Sequence, residues 1–193
     1  ESKFSTALMI LISIPLMYEM PSILAFWLKT VPPNTEVFCR ALMIAFICDQ
    51  TTLGLHAANQ AMGKLKIYTL ATTLPKIMLI PIMWFALKLG GSVDVAMACY
   101  IAIELLVAIF RLPYMHYSTK LNVGNYISKV IMPLIPLCII ECIVCHFMTS
   151  ILQCPFRLLI TGIVSLMASC IAIWFFTFTK SERNYFVKLI KRK

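Results

Sequence analysis

The sequence predicts an all-α membrane protein of about six transmembrane helices, and three observations carry that prediction. The 193 residues are 61% hydrophobic and only 13% charged, with a mean hydropathy of +0.88. Soluble domains carry roughly a quarter charged residues, so this chain has too little polar surface to cover a water-facing globule. Six apolar stretches each run for twenty residues or more. At about 1.5 Å per residue, each covers a hydrocarbon core of about 30 Å. Basic residues gather at the ends of these stretches rather than along one face.

The spans read as 5–28, 37–62, 68–87, 93–115, 127–149 and 156–179. Strands of a barrel would be about ten residues long and would alternate in polarity, so helices are the reading that fits. Pro15, Pro21, Pro75, Pro81, Pro133 and Pro136 fall inside spans, where membrane helices tolerate kinks. Connection 29–36 holds Pro32, Pro33 and Asn34, whereas 63–67 and 90–92 are glycine turns. The longest loop is 116–126, and 150–155 closes the fifth connection. Residues 1–179 thus form one transmembrane region and 180–193 a basic tail. In the tail, Tyr185, Phe186, Leu189 and Ile190 mix with lysines, and Thr179 with Glu182 has capping-box spacing. That pattern fits a short helix on anionic headgroups or a plain charged stop. Glu1 in place of an initiator Met predicts that the chain is a piece of a longer one.

Charge predicts the orientation. Lys3, Lys64, Lys66, Lys120, Lys129 and the six basic residues after 179 make eleven at one set of ends, against Lys29, Lys88 and Arg157 at the other. This bias places both ends of the chain in the cytoplasm. The net charge of +9 is therefore topogenic. A nucleic-acid partner is not expected, because a groove reader needs a continuous basic face.

Several polar residues fall inside spans, where an ionisable group costs several kcal/mol unless it meets water or a partner. They are Glu19, Asp49, His56, Asn59, Gln60, Lys76, Glu104, Arg111 and Glu141. At about 100° per residue, Asp49, His56 and Gln60 project within a narrow arc, with Thr52, Asn59 and Gly63 near the same side and Arg40 opposite. Glu104 and Arg111 share a face two turns apart, too far for a direct pair, which leaves each to meet another helix. Arg40 and Arg111 lie near enough to span ends to snorkel. The pattern predicts a polar path between helices, with candidates Asp49, His56, Asn59, Gln60, Glu19, Glu104 and Arg111. Carboxylates would serve as proton or sodium sites and basic groups would meet an anionic substrate. The plain alternative is that these groups only hold helices together.

The eight cysteines lie mostly in apolar runs and read as small hydrophobes. Cys142, Cys145 and His146 match the C-x-x-C-H pattern of haem attachment, but the motif sits in an apolar span, and Cys138, Cys142 and Cys145 share one helix face. His56, His116 and His146 lack zinc-ligand spacing. There is no phosphate-cradling glycine motif, nucleotide signature or nucleophile elbow. The sequence thus predicts neither a cofactor, a metal nor an enzyme.

One set of residues resembles a known family. It comprises Ile14-Pro15, Trp27-Leu28-Lys29, Val31-Pro32, Phe38-Cys39-Arg40 and the run Ala58-Asn59-Gln60-Ala61-Met62-Gly63-Lys64-Leu65-Lys66-Ile67-Tyr68. The closing Phe178-Thr179-Lys180-Ser181-Glu182-Arg183 belongs with them. Together they resemble the polysaccharide exporters, more narrowly the O-antigen and capsule flippases of the MATE-like superfamily. The resemblance implies about twelve to fourteen helices in two lobes rocking around a cavity, of which this chain would supply the last six. It further implies an undecaprenyl-diphosphate-linked oligosaccharide as substrate, flipped across the bacterial inner membrane with proton or sodium coupling, amid membrane lipids as the other partner. The general cavity role falls on Asp49, His56 and Gln60. Rival expectations are an ion-coupled drug or metabolite exporter of the same fold, and a membrane-embedded sugar-lipid transferase. The transferase would need a catalytic group at an aqueous edge, for which His116 is the candidate.

Overall fold

The computed structural model describes residues 2–63, 65–152, 156–178 and 183. Nine α-helices make up the described residues, which contain no strand: α1 (Ser2–Tyr18), α2 (Met20–Trp27), α3 (Thr35–Gln50), α4 (Leu53–Ala61), α5 (Leu65–Lys88), α6 (Val93–Thr119), α7 (Val123–Tyr126), α8 (Leu134–Ile151) and α9 (Arg157–Ala172). A π-helical turn, Ile127–Ile131, carries α7 into α8, and a second, Ile173–Thr177, extends α9. The tail expected over 180–193 lies outside the described residues apart from Arg183, as do Thr179, Glu182 and Lys64. Arg183 donates to the carbonyl of Phe175 at 2.9 Å, a basic side chain closing the end of a helix.

Two of the six expected spans are broken rather than continuous. Between α1 and α2 the axis bends by 75°, and between α3 and α4 by 49°. The first break has a local cause. Pro21 stands in the first turn of α2, and lacking an N–H it leaves the carbonyl of Met17 without its helical donor. Arg40 of α3 fills that place with Nε at 3.0 Å.

The second break is a tightened turn at Thr51 and Thr52. Thr52 N–H bonds back to Asp49 at 3.2 Å and Leu55 N–H to Thr52 at 3.0 Å. The carbonyl of Thr51 is thereby freed, and the hydroxyl of Tyr126 donates to it at 2.7 Å. Side-chain donors from other helices thus replace what the breaks remove, as lipid cannot.

The loop expected over 116–126 is also mostly helix. The helix α6 continues to Thr119 and ends where Lys120, in the left-handed region at φ 56°, bonds its N–H to His116. Hydropathy marks where a helix leaves lipid rather than where its hydrogen bonds stop. Gly90, at φ +85°, makes the expected tight turn between α5 and α6.

The helices pack in a row. The central α6 lies between α5 and α3, α3 meets α1, and α1 meets α8 and α9, which also pack on each other. Around α1 and α8 the core is Ala7, Ile10, Ile14, Leu134, Leu137 and Cys145. A smaller cluster of Leu55, Leu112 and Met115 sits under Tyr114 and Tyr126. Small polar residues are buried beside these cores. Thr161, Ser165 and Ser169 form a ridge on α9, and Ser13 lies on α1. Leu106, Ile109, Phe147 and Ile163 point outward.

Candidate functional site

The site is built around the second break. Asp49 ends α3 just before the turn, and Arg111 of α6 reaches it with Nη1 2.8 Å from Oδ1. The same nitrogen donates to the Thr52 hydroxyl at 3.0 Å and lies 3.5 Å from the Asp49 carbonyl. Arg111 is buried, its side chain 7% exposed against 28% for Asp49. It therefore does not snorkel to a span end, because the Asp49 carboxylate and the Thr52 hydroxyl accept from it inside. Its Nε is buried with no acceptor.

Beyond the turn, α4 carries His56 and Gln60. An amide nitrogen can only donate, so Gln60 Nε2 at 2.9 Å makes His56 Nε2 the acceptor. The proton then sits on Nδ1, facing the Tyr68 hydroxyl of α5 at 3.2 Å. Tyr68 is fully buried, its ring 5.2 Å from Tyr114 of α6. His56 remains within electrostatic reach of Arg111, Asp49 and Lys76. The narrow arc expected for Asp49, His56 and Gln60 is nonetheless not continuous, because the 49° break falls between the first and the other two. Asn59 turns inward and is buried, whereas Gln60 beside it is exposed.

A second ion pair lies further along α6. Lys76 Nζ of α5 stands 2.9 Å from Oε1 of Glu104, the two side chains 41% and 9% exposed. Glu104 Oε2 is buried without a partner. Glu104 and Arg111 thus share α6 and turn to different neighbours, one to α5 and the other to α3. Asp49 of α3 and Lys76 of α5 thus stand on either side of α6, which packs on both helices, and the His56–Tyr68 contact joins α4 to α5.

Glu19 lies apart from these groups and pairs with Arg157 instead. It caps the first break, where Arg157 at the start of α9 clamps both carboxylate oxygens at 2.9–3.1 Å. Ser22 accepts from the same guanidinium at 2.9 Å, and Thr161 donates to Glu19 at 3.2 Å. From sequence Arg157 is only an end charge, since nothing in its neighbours points to a residue 138 positions away. Thr52, Tyr68 and Tyr126 were likewise not singled out as site groups. The usable signal was Thr51-Thr52 directly after Asp49, two hydroxyls that compete for helix carbonyls.

Glu141 of α8 is fully buried and accepts from Ser169. Cys145, of the C-x-x-C-H motif, is packed in the α1–α8 core, and His146 lies edge-on to Tyr18, centroids 6.4 Å apart. Among the described residues no three His, Cys, Asp or Glu side chains converge as metal ligands.

Buried serines, threonines and ion pairs with leucines and phenylalanines outside invert the soluble pattern and leave an apolar surface that only lipid solvates. Among the described residues, four helices are long and apolar enough to cross a membrane, or up to six if each bent pair is one span. The chain is a multi-pass helical membrane protein. No family model, curated protein or solved structure matches it.

Proposed function

We propose that the chain is the C-terminal part of a transporter, not an enzyme, with the MATE-like two-lobe architecture, and that it flips undecaprenyl-diphosphate-linked oligosaccharide across the bacterial inner membrane. The observation that carries the transporter reading is the Asp49–Arg111 pair at an interrupted helix. Transport proteins place substrate and ion sites where a helix is broken, because freed carbonyls and side chains replace lost hydration. The substrate class is supported by the residues that resemble the polysaccharide flippases and by the cations paired beside α6. A diphosphate head cannot cross hydrocarbon unaided, since burying its charge costs far more than thermal energy. Arg111 and Lys76 are the cations that would meet it, and Asp49 and Glu104 the groups a proton or sodium ion would neutralise. Both ends of the chain then face the cytoplasm.

The test is complementation of a strain lacking its glycan flippase. Asp49→Asn and His56→Ala in the full-length protein should abolish surface glycan while the protein stays in the membrane. Normal glycan from both variants would remove the site. Extrusion of dyes without glycan export would move the reading to a drug or metabolite exporter.

A further inference from the structure

The geometry points to a water-filled cleft along one flank of α5, open at the Gly63 end, closed at the Lys76–Glu104 pair, and admitting small anions in preference to cations. It deepens the transport reading and rests on it for its purpose, but its test does not.

Lys66, Thr69, Thr73 and Lys76 are all exposed, and their spacing of three, four and three residues lays them along one side of the helix. Leu70, Leu74 and Ile77, each half exposed or more, occupy the adjoining side, about 100° round from their polar neighbours. The helix therefore shows two outward surfaces, one apolar and one polar.

Lys76 stands ten residues in from Lys66, about 15 Å along the helix, and thus near the middle of the span. A lysine side chain 41% exposed at that depth cannot face acyl chains without a cost of several kcal/mol. Thr72, one turn below on the packed side, returns its hydroxyl to the Tyr68 carbonyl at 2.9 Å, whereas Thr69 and Thr73 face outward.

A second observation comes from the inner end. Glu104 is 7% exposed and draws the Lys76 ammonium to within 2.9 Å, yet the lysine side chain stays 41% exposed, so a charged group remains open to the flank at mid-depth. A covering helix from another chain would need its own polar side chains at every level from Lys66 to Lys76. Water needs none. The Lys76–Glu104 pair is neutral as a unit, but its ammonium is 41% exposed and its carboxylate 9%, so the positive end faces the flank. Lys66 adds a second exposed cation, and the local potential favours anions.

Thr73→Cys, Leu74→Cys and Ile77→Cys in the full-length protein, in its native membrane, separate these possibilities. Each is treated with two water-soluble thiosulfonates, one bearing a sulfonate and one a trimethylammonium group. Modification is read at each position by peptide mass spectrometry, so the native cysteines stay in place. Rates are normalised to those of a free thiol. The Thr73 position should react and the Leu74 and Ile77 positions should not, with the anionic reagent faster by about tenfold or more. Adding Lys76→Met should leave the reaction and lower the preference, since Lys66 remains and the Glu104 charge is uncovered. An unreactive Thr73 position, or equal reaction at all three, overturns the cleft and leaves lipid or a partner helix on that flank. A faster cationic reagent with Lys76 in place, or a preference that Lys76→Met leaves unchanged, overturns the anion assignment. None of these outcomes depends on glycan export, so the transport reading stands or falls separately.

Discussion

The two helix breaks use the same chemistry to opposite effect. Each sets a carboxylate at the interruption, an arginine from a distant helix against it, and a foreign donor on the carbonyl the break releases. At the first break Glu19 is gripped through both oxygens by Arg157 and by Thr161, and Ser22 takes a further bond from the guanidinium, so both carboxylate oxygens are matched. At the second, Arg111 uses one nitrogen, leaves Nε without an acceptor, and holds an aspartate 28% exposed. A saturated clamp fixes a bend. An unsaturated one keeps capacity for something else.

That contrast is sharpest when both charges of a pair are removed together, which leaves no lone buried ion. Glu19→Gln with Arg157→Gln should preserve glycan export, whereas Asp49→Asn with Arg111→Gln should abolish it. Equal export from the two double variants would erase the distinction. Single truncations come next in size. Asp49→Ala strands the buried Arg111 and Arg157→Ala strands the buried Glu19, each costing about 3–5 kcal/mol of stability in detergent unfolding. Glu19→Ala and Arg111→Ala should cost less, because the partner left behind, 30% or 28% exposed, can reach water.

The carbonyl latches are a smaller matter. Tyr126→Phe and Arg40→Met should each cost about 1 kcal/mol in the same unfolding assay. Export should fall only for Tyr126→Phe, since its carbonyl adjoins Asp49. The smallest effect belongs to Ser165→Ala. Its hydroxyl bonds within its own helix, to Gly162 at 3.0 Å, so the stability change should stay within about 0.5 kcal/mol.

The all-helical character and the presence of several helices apolar enough to span were legible in the sequence, because they depend on composition read along one line. The breaks were not. Pro15 and Pro21 were visible, but a proline inside a membrane helix kinks or breaks it according to whether a neighbour such as Arg40 stands ready to meet the freed carbonyl. Asp49, His56 and Gln60 were chosen on the geometry of a straight helix, and Thr51 and Thr52 bend it between them. Arg111 looked like a residue that would reach for a headgroup. Only the third dimension supplies the aspartate that holds it inside.

The seating of α5 has a mechanical consequence. This span rests along one extensive neighbour, α6, and touches α4 where Tyr68 meets His56. A rod supported on a single side can roll without tearing apart a second interlocked surface. Rolling α5 would draw the lysine head away from Glu104 while turning Tyr68 out of its seat against Tyr114 and His56. Resistance to that displacement is therefore shared between one electrostatic tether at mid-helix and one aromatic anchor about two turns away.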